Sequence, residues 1–181
     1  GHSMGGGIGY VLALTYPARL RRLILMAPVP SDGFPGNPPA PSQPTEADRP
    51  ASLAQARLMR FRPESETDAW FEDRIRHRIT VSNGHFVDGF SAMRDLRVRS
   101  RLGEILTPTL MIAGAVDGLL AANLHDFGLL PNATLEVLSR AGHEVAIHEP
   151  GRVAEAIDGF MQNGVVTAKT LQARVAGAGA G

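Results

Sequence analysis

The chain has 181 residues, 44% of them hydrophobic and 20% charged, the balance of a folded globular protein of one domain rather than a disordered or fibrous chain. Lys plus Arg and Asp plus Glu both number 18, so no net field gathers nucleic acid or an anionic membrane. There is no cysteine, hence no disulfide, thiolate nucleophile or thiolate metal site, and no run reaches bilayer-spanning length. A cytoplasmic location is expected, with a signal peptide left open because the first residue is Gly1 rather than Met.

The opening GHSMGG, Gly1 to Gly6, has the form Gly-x-Ser-x-Gly, which sets a serine on a sharp turn between a strand and a helix. The helix follows: Ile8, Tyr10, Val11 and Leu12 lie at helical neighbour spacing, and Pro17 marks its stop. Glycines at its start lower its intrinsic propensity and imply that another backbone passes close by. Leu23 to Ala27, framed by arginines and prolines, reads as a strand buried on both faces.

Residues 31–103 then interrupt the pattern as an inserted helical subdomain, of a kind that commonly acts as a lid. SDGFPGNPPAPSQPTEADRP is a loop with polyproline character. SLAQARLMRF and TDAWFEDRIRHRI follow as helices capped by Ser52 and Thr67, with Phe71, Ile75 and Ile79 at four-residue steps.

The alternation resumes with a strand at Leu110 to Ala113, a helix in GLLAANLHDFGLLP, and a strand carrying Leu135, Val137 and Leu138. A last helix places Val153, Ala156, Ile157 and Phe160 on one face before Gly164. Residues 165–181 drift into an Ala/Gly tail expected to fray. Strands alternating with helices give an α/β architecture on a parallel sheet, its core formed by residues 1–30 and 104–164.

A serine nucleophile requires a base to take its proton and a carboxylate to hold that base in the right tautomer, at later strand ends in the order Ser, Asp, His. Asp117 ends the turn after TLMIAG, and His143 follows the strand TLEVL, leaving room between them for one helix and one strand. Ser3, Asp117 and His143 are therefore the candidate catalytic residues. The competing readings are a helix N-cap for Ser3, a turn residue for Asp117 and a surface loop for His143. Asp32, after the strand that precedes the insertion, is the rival acid, whereas Asp126 falls within a helix.

The other histidines read differently. His2 is expected to pack beneath the turn, and His77, His85, His125 and His148 lack metal-ligand spacing, so no metal site is expected. Trp70 and Phe71 read as core ahead of pocket lining. Arg94 to Arg101 read as a solvated face, with an anion site there as the lesser alternative.

GHSMGG resembles the nucleophile elbow of the α/β-hydrolase superfamily, PTLMIAGAVD its acid strand, and AGHEVAIHEP its histidine loop and the entry to its last helix. The likeness covers nearly the whole chain except the lid. It points to the lid-bearing bacterial branch of carboxylesterases, enol-lactonases, carbon–carbon bond hydrolases and cofactor-free haloperoxidases. The resemblance implies the C-terminal part of that fold, with the last three parallel strands of the sheet and an inserted helical lid. It also implies a triad of Ser3, Asp117 and His143, an oxyanion-hole donor at the Met4 N–H, no cofactor, and a small-molecule ester or acyl substrate.

In the family, five strands and a His-Gly loop that gives a second oxyanion donor precede the elbow. The chain is accordingly expected to be part of a longer hydrolase and nearly inactive alone. Carbon–carbon bond hydrolysis or perhydrolysis by the same triad, and a non-catalytic small-ligand binding module, stand as alternatives. Neither substrate identity nor oligomeric state is indicated.

Overall fold

Each of the three apolar runs becomes a strand: β1 is Leu23–Met26, β2 Thr109–Gly114 and β3 Ala133–Leu138. They belong to a computed structural model that describes residues 1–34, 42–168, 170–172 and 175. The strands pair in the order β1-β2-β3, all parallel, with Leu23 opposite Thr109 and Thr109 opposite Ala133. β2 is central and buried along its whole length, which is why its sequence is an unbroken apolar run. β3 lies at an edge and is less buried, with Thr134, Leu135 and Glu136 half-buried and Val137 exposed.

Helices α1 (Met4–Thr15), α5 (Leu120–Leu129), the short α6 (Val145–His148) and α7 (Pro150–Asn163) accompany this sheet. Side chains of β2 alternate between two cores. Met111 joins Tyr10, Leu25, Leu102, Ile105 and Leu130 in one. Leu110 and Ile112 join Ala27, Leu138, Val145, Val153 and Phe160 in the other. Gly164 ends α7 at φ 68°, its N–H returning to the Phe160 carbonyl.

α1 forms where the apolar spacing predicts, but it buries a different face. Gly6, Gly7, Gly9, Tyr10 and Ala13 point inward, while Ile8 is 60% exposed and Val11 and Leu12 are also exposed. Close approach by the chain leaving β1 is the cause: a Cβ at Gly6 would lie 2.6 Å from Pro28 Cβ, and one at Gly7 would lie 2.5 Å from Val29 Cγ1.

The chain divides into two compact units, Gly1–Asp32 with Leu96–Gly181, and Gly33–Asp95. Ser31, Asp32 and residues 96–103 thus belong with the sheet, not with the inserted segment as the sequence suggests. The second unit holds α2 (Arg49–Met59), α3 (Asp68–Thr80) and α4 (Asn83–Arg94). Thr67 caps α3 by accepting from the Trp70 N–H at 3.2 Å, and Phe71 and Ile75 are buried.

Ser52, by contrast, lies inside α2, and the region opens instead with a reciprocal capping box between Thr45 and Asp48. Ser82 caps α4 by accepting from the His85 N–H. The polyproline loop falls largely on residues 35–41, outside the described residues, as do 169, 173, 174 and 176–181 of the tail. Nearer its start, Val165 is buried in the second core and the Thr167 N–H donates to Thr170 Oγ1 at 2.8 Å. Among the described residues no helix is long and apolar enough to cross a membrane.

Candidate active site

Gly1 and His2 run parallel to the end of β1: the Met26 N–H donates to Gly1 O at 2.9 Å, and the Ser3 N–H to Met26 O at 3.0 Å. The chain then enters α1 through Ser3 at φ 52°, ψ −116°, a region that costs a non-glycine residue about 1–3 kcal/mol. Three N–H groups hold it there. The Ser3 carbonyl accepts from the N–H groups of Gly6 (2.9 Å), Gly7 (3.3 Å) and Val29 (3.0 Å), and a Cβ at Gly1 would lie 2.2 Å from Gly5 O. The first glycine of the motif is thus a steric necessity, while Gly5 has open space where its Cβ would be.

Ser3 stands at the N-cap position of α1, but its hydroxyl makes no capping hydrogen bond to the helix. Met4 is the first helical residue, and its N–H has no acceptor within the helix.

Asp117 lies in the turn beyond β2, its side chain 5% exposed. Its Oδ1 accepts from the Leu119 N–H at 3.0 Å, and its Oδ2 accepts from His143 Nδ1–H at 2.9 Å. Burial raises the carboxyl pKa, but the hydrogen bonds from His143 and Leu119, together with the charges of His143 and His2, outweigh it and hold the group below the ordinary carboxylate range. With Nδ1 donating, Nε2 is the basic atom of the His143 ring.

Four contacts fix the loop carrying His143. The Val116 N–H donates to Ala141 O at 2.9 Å. A Cβ at Gly114 would lie 2.2 Å from Gly142 O, so only glycine lets this loop close over the end of β2. The Gly142 N–H donates to Nδ1 of the buried His148 at 2.9 Å. Finally, His2 Nε2–H donates to His143 O at 2.8 Å, with the two rings 4.8 Å apart at their centroids. His2 and His148 are therefore tethers of the histidine loop. Neither role has a sequence signal, because each ring binds a backbone atom that only the fold brings near.

The remaining candidates have other partners. Asp32 is committed to arginines: its Oδ2 pairs with Arg99 Nη1 at 2.6 Å, and its carbonyl accepts from Arg97 Nη1. Asp126 is fully buried and bound to Ser31. Of the three aspartates, the one bonded to His143 is Asp117. The Arg94 to Arg101 stretch carries exposed ion pairs, Arg94 to Asp95 and Arg101 to Glu104 among them. Phe71 is buried, with the Trp70 ring tilted against it at 5.2 Å. Among the described residues no three His, Asp or Glu side chains converge as a metal site.

The strand ends thus carry Ser3 beside β1, Asp117 after β2 and His143 after β3, all at the carboxyl edge of one parallel sheet. Residues 1–150 match the model of the alpha/beta hydrolase fold family. The chain belongs to this family.

Within it, the chain is 26% identical to a pimeloyl-[acyl-carrier protein] methyl ester esterase of Pectobacterium atrosepticum, over 90% of this chain and 69% of that one. It is 28% identical to a 2-hydroxymuconate semialdehyde hydrolase of Pseudomonas putida, over 89% of this chain and 60% of that one. The fold also matches a meta-cleavage product hydrolase from Pseudomonas fluorescens IP01 at a TM-score of 0.66 and 22% identity, covering 90% of this chain and 63% of that structure. The chain therefore spans 60% to 69% of the length of these hydrolases.

Proposed function

We propose that the protein is a serine hydrolase acting on a carboxylic ester or related small acyl substrate. The observation that carries this reading is the 2.9 Å bond from His143 Nδ1–H to a buried Asp117, at the sheet edge where a serine sits in a strained turn with its hydroxyl unspent on the helix. In this reading Nε2 of His143 takes the proton of Ser3 Oγ as the oxygen attacks the carbonyl carbon. The Met4 N–H stabilises the resulting oxyanion. Collapse breaks the bond to the leaving group, which receives the proton from His143, and water activated by the same nitrogen then releases the acyl group. No step in this reading calls for a cofactor.

Similarity to an esterase supports the ester reading. Similarity to the semialdehyde hydrolase favours, as a second reading, cleavage of a carbon–carbon bond next to a carbonyl by the same three residues. A fluorophosphonate probe tests the triad: one adduct, located at Ser3 by mass spectrometry, is expected, and none in Ser3→Ala. Asp117→Asn should slow labelling by up to about 10⁴-fold, since the wrong histidine tautomer is then favoured. Labelling that survives Ser3→Ala would remove the assignment. A panel of esters and of carbon–carbon bond substrates separates the two enzymatic readings.

A further inference from the structure

α5 carries two fully buried polar side chains, Asn123 and Asp126, three residues apart and so on one face of the helix. Burial of an amide and a carboxyl is costly unless both are hydrogen-bonded. Both are spent on one short segment, the chain leaving β1. Asn123 Nδ2 donates to Pro28 O at 2.8 Å. Asp126 accepts twice from Ser31, at Oδ2 from the backbone N–H (2.9 Å) and at Oδ1 from the hydroxyl (2.5 Å).

Between these two anchors, the Val29 N–H donates to Ser3 O at 3.0 Å, and Pro28 packs so close to Gly6 that no side chain fits there. The segment starts at Ala27, itself a non-glycine residue at φ 41° and fully buried. Two strained residues, Ser3 and Ala27, therefore lie on adjacent segments joined by the bond from the Ser3 N–H to Met26 O at 3.0 Å, and such conformations persist only where their surroundings over-determine them. The Tyr10 hydroxyl of α1 is buried beside the Asp126 carboxylate, and its pKa is raised by burial and by that charge.

We propose that Asn123 and Asp126 are positioning residues for Ser3. By pinning Pro28 and Ser31 they keep the Val29 N–H on the Ser3 carbonyl and hold the serine in its off-helix conformation. This rests on the reading of Ser3 as the nucleophile, and the test separates the two. Amide hydrogen exchange at Val29, and fluorophosphonate labelling as a function of probe concentration, are measured on the 181-residue chain.

Asn123→Leu and Asp126→Leu should each speed Val29 exchange by about 10-fold or more relative to the β2 amides. They should also lower the maximal labelling rate by about 10–100-fold, leaving the half-saturating probe concentration unchanged. Asp126→Asn, which keeps one oxygen for Ser31, should fall between these and wild type. Where Asp126→Leu does not fold, Ser31→Ala, a one-atom deletion, carries the same expectation. Wild-type exchange and wild-type maximal rate in the folded variants overturn the proposal. If the 181-residue chain, expected to be nearly inactive alone, is not labelled, Val29 exchange decides the clamp: acceleration in the variants supports it and constancy overturns it.

Discussion

A methyl group added at Gly6 would sit 2.6 Å from Pro28 Cβ and 2.8 Å from Pro28 Cα, a backbone atom with no rotamer to yield. Gly6→Ala should therefore destabilise the chain by about 1–3 kcal/mol in urea unfolding, as overpacking does. Gly159, in α7, has nothing within 4 Å of its would-be Cβ. There the same change should stabilise by up to about 1 kcal/mol through helix propensity alone. Equal effects at the two sites would refute the close-approach account of the elbow. Asp117 supplies a pH signature at the same scale. Its carboxyl titrates below the ordinary range in the folded chain, so the unfolded chain takes up its proton first as pH falls. Its contribution to stability is complete above the unfolded value and is lost as pH drops through the folded one. Stability measured from neutral to acidic pH should thus decline less steeply in Asp117→Asn than in wild type, and identical acid slopes would show that the His143 bond does not set the titration.

At the scale of elements, legibility followed how local the cause was. The three strands were readable because β1 and β2 are continuous apolar runs and β3, at the sheet edge, still carries Leu135, Val137 and Leu138. Thr67 was readable as a cap because its partner, Trp70, is three residues away. The buried face of α1 was readable only at Tyr10, since the rest of its period is written in glycines that admit Pro28 and Val29, whereas Ile8, Val11 and Leu12 of the same apolar pattern are exposed. The same holds at the site. Ser3, Asp117 and His143 stand out by motif and order along the chain, but the tethers His2 and His148 bind backbone atoms. Asp126, in mid-helix, looks like any solvated carboxylate until Ser31 folds onto it.

At the scale of the molecule, α1 presents Ile8, Val11, Leu12 and Tyr16 outward, all exposed. Among the described residues only the stretch from Gly1 to Ser3 runs along the outer edge of β1. An apolar helix face beside a strand edge invites pairing with a second copy. As a free 181-residue chain, the protein should associate with rising concentration in size-exclusion chromatography with light scattering. Lysines at Ile8 and Leu12 together should shift it toward monomer, and a wild-type mass independent of concentration would refute this.

The bond from His2 to the His143 carbonyl joins positions 141 residues apart, and between them the chain must lay down β1, β2 and β3 in one parallel register. Parallel pairings of this separation form slowly, because loop closure must precede any reward. The arrangement of Ser3, Asp117 and His143 consequently has no local precursor. A collapsed chain with its helices in place but β3 unpaired would hold all three residues without bringing His143 to the sheet edge, so the candidate site is a late product of folding, withheld until the first turn and the histidine loop have found each other.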